Sequence, residues 1–199
     1  MKKLLFVLAI SFCCVVSSFC ADKSATKLKN NSVVDNILNR KSVRKYSDKK
    51  VEQEKIDIIL KCAMAAPSAM NKQPWELLVV NDKEILEQLA SIVPNASYCR
   101  TCQLAIIVCG NKSVSEKFWI QDCCAVTENI LLTVESLKLG AVWCAVFPDD
   151  NKVKQIQELF KLPEDVIPLN VIPMGYPLVK ENPKDKYSSK KIHLNKWEQ

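Results

Sequence analysis

Apolar and polar positions recur along this chain with two periods, one typical of helices and one typical of strands. Apolar side chains three and four positions apart predict helices over 33–39, 51–65, 83–92, 118–139 and 151–160. Short apolar runs predict strands over 75–80, 103–109, 141–147 and 166–174. The run over 103–109 is almost continuously apolar, as expected for a strand covered on both faces. This mixture of elements predicts one layered α/β-type domain.

Glycine and proline add expected boundaries to this pattern. Gly140 is expected to end the long helix as its C-cap. Pro168 and Pro173 are expected at a sheet edge or a strand end, because proline has no N–H for a central ladder. The chain after Gly175 is rich in lysine and proline and is expected to be extended.

The first 21 residues predict a signal peptide that precedes the domain. Lys2 and Lys3 form a positive start, residues 4–16 an apolar core, and Cys20 and Ala21 small residues near a cleavage position. The apolar run is short for a membrane span. We expect residues 22–199 to form an exported domain, periplasmic or secreted. The alternative is that the leader is retained and anchors the chain to a membrane. A lipoprotein-type leader is one form of this alternative.

Length and charge narrow the classes of protein. With 199 residues, 48% of them hydrophobic, the chain can bury one substantial core and is short for two domains. The net charge of +6 becomes +4 without the two leader lysines, and the basic residues are scattered. This balance does not predict nucleic-acid binding.

Cysteine usage argues against a disulfide framework. Seven cysteines follow the leader, an odd number, and most lie in apolar patterns where a thiol acts as a small hydrophobe. Cys99-x-x-Cys102 is the one candidate for redox or metal chemistry. The chain has no second such pair, and its single histidine, His193, is remote in sequence, so no metal site is expected. The pair is interpreted as surface thiols. The seven are Cys62, Cys99, Cys102, Cys109, Cys123, Cys124 and Cys144.

Absent motifs exclude further classes. The three glycines, Gly110, Gly140 and Gly175, allow neither a GxGxxG motif nor a P-loop. One histidine gives no credible Ser-His-Asp, Cys-His or HExxH site unless His193 belongs to it. A bound phosphate would therefore have to be held by side chains.

The segment Arg40-Lys41-Ser42-Val43-Arg44 provides such side chains. It holds two of the three arginines in a chain that otherwise uses lysine. A guanidinium binds phosphate or carboxylate through two parallel hydrogen bonds, which the point charge of lysine cannot do. The segment predicts a cradle for a phosphorylated ligand. The alternative is a solvated basic stretch beside a helix end.

A second polar segment lies between Pro67 and Pro74. Pro67 cannot continue the preceding helix, so an extended loop is expected to enter the next strand. Ser68, Asn71 and Gln73 offer hydroxyl and amide groups that can read a ring with both donors and acceptors. The alternative is an ordinary turn, in which serine and asparagine are common.

Together the two segments resemble the FMN-dependent nitroreductase family. Its usual pattern is Arg-Arg-Ser-x-Arg, then a helix, then Ala-Pro-Ser-x-x-Asn-x-Gln-Pro-Trp. The similarity continues in the helix at 122–132, in the segment at 139–148, in Met174-Gly175-Tyr176-Pro177 and in the tail at 192–197. It covers essentially the whole chain after the leader.

This resemblance implies an α+β fold, a nitroreductase-like three-layer α/β/α sandwich that forms a domain-swapped homodimer with FMN at the subunit interface. It also implies which residues contact the flavin. One group lies in the basic segment, a second reaches the flavin from the neighbouring subunit, a third runs along the ring with its backbone amides near the reactive nitrogen, and a fourth closes the phosphate site. In that order these are Arg40, Lys41, Ser42 and Arg44; Pro67, Ser68, Ala69 and Asn71; Ala145, Val146 and Phe147; and Gly175 and Lys186. Lys41 and Lys186 replace the arginines that relatives often have, which implies a looser grip on phosphate.

The implied activity is that of an FMN-dependent oxidoreductase. NAD(P)H would be the electron donor, and a nitroaromatic, a quinone or a related small acceptor would reoxidise the flavin in a ping-pong cycle. Because the flavin carries the electrons, no catalytic protein residue is expected. The alternatives are a flavin-binding electron carrier without its own turnover and a reductive dehalogenase of the same family. The sequence names neither the acceptor nor the choice between NADH and NADPH.

Overall fold

The computed structural model describes residues 32–197. Within this range, helices α1 to α5 are Ser32–Asn39, Gln53–Met64, Lys83–Ile92, Trp119–Ser136 and Asp150–Phe160. Strands β1 to β5 are Trp75–Val80, Leu104–Asn111, Gly140–Ala141, Cys144–Ala145 and Val166–Gly175. Short 3-10 helices lie at Ala69–Asn71, Pro94–Arg100 and Ser189–Lys191. The predicted leader lies outside the described residues, so export and membrane anchoring both stay predictions.

Side-chain caps define where two of the helices begin. The Asp82 carboxylate accepts hydrogen bonds from the backbone N–H groups of Glu84 and Ile85, both at 3.0 Å, at the start of α3. Asp149 accepts in the same way from the N–H of Lys152 at the start of α5. Each carboxylate satisfies helix donors that have no partner within the helix, which fixes the first turn.

The strands form one antiparallel sheet in the order β1-β2-β5-β3, and β4 also pairs with β5. β2 lies between β1 and β5, so that Ile107 is opposite Leu78 on one side and Val171 on the other. The far side of β5 is shared by the short strands β3 and β4. The antiparallel pairing of every described strand makes this an α+β fold.

Pro168 and Pro173 lie in β5, an interior strand, so the expected position at an edge or strand end is wrong. The carbonyl group of Pro173 still pairs, because it accepts a hydrogen bond from the N–H of Val142 at 3.3 Å. Pro168 is opposite Cys109, where the register shifts between Val108 and Cys109. The short partners β3 and β4 and this irregularity reduce the number of ladder bonds that β5 must donate, which makes two missing N–H groups tolerable.

Two hydrophobic clusters cover the two faces of the sheet. On one face, Leu89 of α3 and Ile156 of α5 belong to a fully buried core. On the other, Ile59 of α2 and Ile130 of α4 belong to a second core. Successive residues of β2 contribute to opposite clusters because side chains alternate along a strand. The architecture is the predicted three-layer α/β/α sandwich.

Helix α4 ends before the predicted residue 139, and Gly140 is not its C-cap. Lys138 takes the left-handed conformation, with φ of 61°. Its N–H donates to the carbonyl of Glu135 at 3.1 Å, and the N–H of Leu139 donates to the carbonyl of Val134 at 3.0 Å. These two bonds form a Schellman motif that satisfies the last helical carbonyls. Gly140 instead belongs to β3, where its lack of a side chain has another use.

The predicted strand over 141–147 is divided into β3 and β4. Val142 still pairs with β5, through the bond to Pro173, but Trp143 lies between the two strands. Val146 and Phe147 both donate their N–H groups to the carbonyl of Leu169, at 3.0 and 3.1 Å, which ends the pairing with β5.

The described cysteines are all free thiols. Cys99 and Cys102 are only 1% and 4% exposed, so their interpretation as surface thiols is wrong. Both belong to the hydrophobic core between the sheet, α3 and α5, because the segment that contains them packs against it. Only Cys62 and Cys124 are partly exposed among the seven.

Two further findings concern residues 32–197 only. No group of three or more His, Cys, Asp or Glu side chains in this range is placed to hold a metal ion. No helix in the same range has the length and apolar character needed to cross a membrane. The described tail after Gly175 contains no strand and one short 3-10 helix.

Candidate functional site

The basic segment over 40–44 is tied to the end of the sheet. Ser42 forms a β-bridge with Ala141, and the N–H of Val43 donates to the carbonyl of Ala141 at 2.9 Å. Val43 is 1% exposed and points into the core, whereas Arg44 is exposed. The backbone therefore holds the polar side chains of the segment at fixed positions along a short extended stretch.

Gly140 makes this attachment possible. A Cβ on Gly140 would lie 2.6 Å from the Cβ of Val43, closer than real side chains approach. The glycine thus lets the basic segment lie directly against β3. Gly140 belongs to the construction of the candidate site, although the sequence analysis assigned it to a helix end.

Arg40 lies on a groove between α1 and the tail. The groove has a volume of about 530 Å³ and is also lined by Leu38, Pro183 and Lys186. The Arg40 Nε is 3.6 Å from a carboxylate oxygen of Glu128 in α4, an ion pair too long to be a hydrogen bond. The structure therefore brings together two predicted cationic residues, Arg40 and Lys186, on one concave surface.

Lys41 points to a different partner. Its Nζ lies 3.0 and 3.1 Å from the two carboxylate oxygens of Glu135, and both side chains are largely buried. The ammonium also donates to the carbonyl of Asn39 at 3.3 Å. In the described chain Lys41 is therefore paired with Glu135, and its contact with the cofactor stays a prediction.

Arg44 is exposed, and its guanidinium carbon lies 5.9 Å from the centre of the Tyr98 ring. Among residues 32–197, no carboxylate forms an ion pair with Arg44. Its one described hydrogen bond is a long contact of 3.5 Å to the carbonyl of Ser42. The fork of Arg44 is therefore available to a ligand, and Tyr98 supports it through a cation–π contact.

Tyr46 anchors the end of the basic segment. Its buried hydroxyl lies 2.6 Å from the carbonyl oxygen of Val43 and 2.9 Å from that of Pro173. Burial raises the pKa of Tyr46, so the hydroxyl keeps its proton for these carbonyls. Gly175 lies against this ring, since a Cβ there would be 3.4 Å from the Tyr46 Cβ. The structure places Gly175 in this packing and not on the groove that contains Arg40 and Lys186.

The loop after α2 has an unusual backbone. Met70, Asn71 and Gln73 all have φ near +50° although none is glycine. Ser68 stabilises this shape, because its Oγ accepts from the N–H of Gln73 at 2.9 Å, and the Asn71 side chain accepts from that of Gln73 at 2.9 Å. Left-handed residues of this kind concentrate at functional sites.

Asp122 holds this loop against the start of α4. One of its oxygens accepts a hydrogen bond from the N–H of Ala69 at 3.0 Å. The other oxygen is buried and has no hydrogen-bond partner among residues 32–197. Pro67 and Asn71 are exposed, and Ser68 and Ala69 are partly exposed. The loop thus presents its predicted contact residues outward.

The segment over 145–147 provides one exposed residue. Ala145 is exposed, and its carbonyl accepts from the Asn95 side chain at 3.2 Å. The N–H groups of Val146 and Phe147 both donate to the carbonyl of Leu169 in the described chain, and their position near the reactive nitrogen of a flavin stays a prediction. The Phe147 ring instead makes an edge contact with Trp119, with centroids 5.1 Å apart.

The loop and the basic segment of one chain do not meet. No described hydrogen bond or ion pair joins them, and they contact different parts of α4. The loop contacts α4 at Asp122, Arg40 at Glu128, and Lys41 at Glu135. At 1.5 Å per residue, the last two contacts lie about 9 and 20 Å along the helix from the first.

Sequence reasoning missed several residues of this site. Asn95 and Tyr98 belong to the 3-10 segment Pro94–Arg100, which has no periodic pattern. Glu128 and Glu135 carry no signal that distinguishes them from other polar residues of α4. Only Asp122 carried a signal, because a carboxylate within an apolar helical pattern predicts a partner.

Comparison with known proteins places these features in a family. The sequence model described as the Nitroreductase family matches residues 37–97 and 98–176. A protein of Methanothermobacter thermautotrophicus with the provisional name NADH dehydrogenase/NAD(P)H nitroreductase is 42% identical over 86% of this chain and 91% of its own length.

Solved structures agree. A protein of Parabacteroides distasonis with the same provisional name is 46% identical, with a TM-score of 0.83 over 84% of this chain and 99% of that one. The FMN-dependent nitroreductase of Clostridium difficile is 32% identical, with a TM-score of 0.78 over 82% of this chain and 99% of that one. From its sequence, its three-layer fold and the basic segment at its sheet end, this chain belongs to the nitroreductase family.

Proposed function

We propose that this chain is an FMN-dependent oxidoreductase that takes electrons from NAD(P)H and passes them to nitroaromatics, quinones or related small acceptors. The observation that carries the proposal is the guanidinium of Arg44, which has no carboxylate partner among residues 32–197 and lies on the same tethered segment as Ser42 and Arg40. The names of the relatives from Methanothermobacter and Clostridium support the cofactor and the donor.

The residues present fit FMN. An extended backbone from Arg40 to Arg44 spans up to about 13 Å, at roughly 3.3 Å per residue. In this arrangement Arg40 and Lys186 hold the phosphate, Ser42 contacts the polyol chain and Arg44 binds the carbonyl edge of the ring. Three glycines leave no phosphate-binding loop, which fits a phosphate held by side chains. Lys41 contributes to this site by fixing the segment to Glu135.

The bound flavin supplies the electron transfer. What this chain adds is binding, orientation and an open approach for small substrates. Ala145 is exposed, and the N–H groups of the next two residues are hydrogen-bonded to β5. The flavin ring can therefore lie against a rigid stretch of backbone there. An exposed alanine adds little bulk, which suits alternate binding of a donor and an acceptor.

A homodimer completes the site in this proposal. The loop with Ser68 and Asn71 faces outward, away from the basic segment of its own chain, so a second chain would bring its loop to the first flavin. Exposed apolar residues in α1 and in the tail, among them Leu38, Leu194 and Trp197, offer surface for such an assembly. Domain exchange through the tail is the simplest way to cover these side chains.

The test begins with the purified chain and its bound cofactor. The protein should be yellow and should release FMN, not FAD, on denaturation. Under anaerobic conditions, NADH or NADPH should bleach it, and a nitroaromatic or a quinone should restore the colour. Initial-rate plots at several fixed donor concentrations should be parallel, because donor and acceptor use one site in turn.

Other outcomes separate the alternatives. A flavin that neither nicotinamide reduces, but that a protein or chemical reductant does reduce, supports an electron carrier. Turnover confined to halogenated aromatics supports reductive dehalogenation. A colourless chain that FMN cannot reconstitute contradicts the proposal.

A further inference from the structure

A second concave site lies on the face of the sheet that α3 covers. It has a volume of about 440 Å³ and is lined by Tyr46, Asn81, Lys83, Cys99 and Cys102, among others. We call it the thiol pocket. None of its lining residues belongs to the groove of Arg40 and Lys186 or to the loop after α2, and the proposed electron transfer uses none of its cysteines.

The two cysteines of the pocket lie three positions apart, Cys99 in the 3-10 helix Pro94–Arg100 and Cys102 in the turn that ends it. The N–H groups of Thr101 and Cys102 both donate to the carbonyl of Tyr98, at 3.1 and 3.0 Å. Residues three apart on such a turn have Cβ atoms about 5–6 Å apart. A disulfide needs Cβ atoms about 3.5–4.5 Å apart, so closure requires a shift of roughly 1 Å. The Cys102 Sγ lies 3.6 Å from the carbonyl oxygen of Cys99, which keeps the Cys102 thiol close to the backbone of its partner.

We propose that Cys99 and Cys102 form a redox-modification site in which a small hydroperoxide, entering through the thiol pocket, oxidises the pair to an intrachain disulfide. Hydrogen peroxide is small enough for the pocket and provides the two-electron oxidation that the pair needs. The inference does not depend on the proposed flavin chemistry, because it concerns residues outside that site.

The two steps balance. The Cys102 thiolate attacks one peroxide oxygen, the O–O bond breaks, and Cys102 becomes a sulfenic acid while the departing hydroxide takes up a proton to form water. The Cys99 sulfur then attacks the Cys102 sulfur, an S–S bond forms, and the Cys99 proton leaves with the sulfenic hydroxide as a second water. Two thiols are oxidised and one peroxide is reduced.

The surroundings assign the two roles. A hydrogen bond from the Cys99 thiol lowers the pKa of Cys102, and backbone N–H groups act in the same direction. The same contact, followed by burial, raises the pKa of Cys99. Cys102 is therefore the thiol that is more readily ionised and attacks, and Cys99 resolves the intermediate.

A second pair of neighbouring cysteines in the fold serves as a control for Cys99 and Cys102. Cys109 and Cys123 are also close together, with the Cys123 Sγ 3.4 Å from the carbonyl oxygen of Cys109. Both are 0% exposed, and neither lines any of the described pockets. Burial raises the pKa of Cys123 to about 12, and it raises that of Cys109 as well. Cys99 and Cys102 are only 1% and 4% exposed, so what distinguishes the two pairs is that the first lines the thiol pocket and the second lines none of those described.

The experiment treats the folded full chain with hydrogen peroxide, alkylates remaining thiols after denaturation and digests the protein with trypsin. Cleavage after Arg100 separates Cys99 from Cys102, so their disulfide joins two peptides, 84–100 and 101–112, which a reductant releases. The joined species should weigh two hydrogens less than the sum of its parts. A Cys102→Ser variant should lose it, and a Cys109→Ser variant should keep it.

The remaining outcomes overturn the proposal. They include failure of the 84–100 and 101–112 peptides to join while other cysteines oxidise, and joining that occurs only after the chain is unfolded. Joining that survives Cys102→Ser, or equal oxidation of Cys109 and Cys123 in the folded chain, would also contradict it. The circular dichroism spectrum of each serine variant should match that of the unchanged chain, which checks that the result does not arise from misfolding.

Discussion

Gly140 and Val43 are packed so closely that a methyl group on the glycine would meet the valine Cβ at 2.6 Å. This contact joins β3 to the basic segment, because the same stretch of chain contains the Ser42–Ala141 bridge. The stability of the fold and the position of Arg44 therefore depend on Gly140. This glycine is needed for the space that it leaves and not for a left-handed backbone, because its φ is not positive.

Gly140→Ala should lower the free energy of unfolding by about 1–3 kcal/mol, the usual cost of overpacking, and should weaken FMN binding because the basic segment must move. Urea unfolding and fluorescence titration with FMN measure the two effects. Gly175→Ala is the matched control, since its new methyl group would stay 3.4 Å from Tyr46. Equal effects of the two variants would show that the Val43 contact is not limiting.

Arg44→Ala should weaken FMN binding by roughly 1.5–3 kcal/mol, the range for hydrogen bonds to charged groups, or about 10- to 150-fold in Kd. The guanidinium has no carboxylate partner among the described residues, so its removal should leave the free energy of unfolding of the apoprotein nearly unchanged. Arg100→Ala is the control, because Arg100 is exposed and its side chain donates to Ser91 within the described part of the chain. An unchanged Kd for Arg44→Ala would mean that the segment is a solvated basic stretch.

Asp122→Ala should loosen the loop over 67–73, because the N–H of Ala69 loses its acceptor. Lys72 is exposed in that loop, so limited trypsin digestion should cut there faster than in the unchanged chain. Asp122→Asn keeps one oxygen acceptor and should be cut at nearly the original rate. If the alanine variant resists trypsin equally well, the loop is held by Ser68 and Gln73 alone.

Glu52 gives a prediction about pH. The Tyr176 hydroxyl, 2.7 and 2.9 Å from its two oxygens, is the main cause that lowers the pKa of Glu52 from 4.5 to about 2, and Lys49 adds to it. Because the folded pKa is depressed, the stabilisation is fully present above about pH 4.5 and is lost as the pH falls toward 2. Unfolding of Glu52→Gln should therefore depend less steeply on pH in this window.

The control for this prediction is Glu54→Gln, a change at a neighbouring exposed carboxylate of α2. Urea midpoints at several pH values between about 5 and 2 would compare the three chains. Parallel curves for all of them would contradict the assignment to Glu52.

Assembly can be tested through the tail. Truncation after Lys191 removes Ile192, Leu194 and Trp197, which are 63%, 82% and 77% exposed in the single chain. If they pack on a second copy, the truncated chain should dissociate to monomers and bind FMN more weakly. Sedimentation velocity with detection at flavin and protein wavelengths measures both. A chain that lacks only the last two residues should stay dimeric, and a flavin-loaded monomer of either chain would refute the shared site.

Local signals explain which elements were predictable. Strand Trp75–Val80 and helix Lys83–Ile92 match their predicted bounds, because an apolar run ends at Asn81 and Asp82 supplies a cap. The six stretches that resemble the family also identified it, since each lies within a short stretch of chain. Such features need no knowledge of distant residues.

The wrong predictions for Pro173 and Gly140 involve partners far away in sequence. The pairing of Lys41 with Glu135 of another helix was equally invisible in the sequence. Pro173 looked unsuitable for a central strand because the short partners of β5 could not be foreseen. Gly140 resembled a helix cap because its close packing against Val43 was not visible in the sequence. The left-handed conformation that glycine usually takes at a helix end is instead taken by Lys138.

The bridges Ser42–Ala141 and Tyr46–Pro177 also have a consequence for how the chain reaches its native state. Both join residues that are far apart in sequence, since Ala141 lies in β3 and Pro177 follows the end of β5. Closing such long loops costs conformational entropy before the contacts that offset this cost can form. The segment that contains Arg40, Ser42 and Arg44 should dock in the final stage of folding, and its amides should be among the first to exchange with deuterium when the native protein opens.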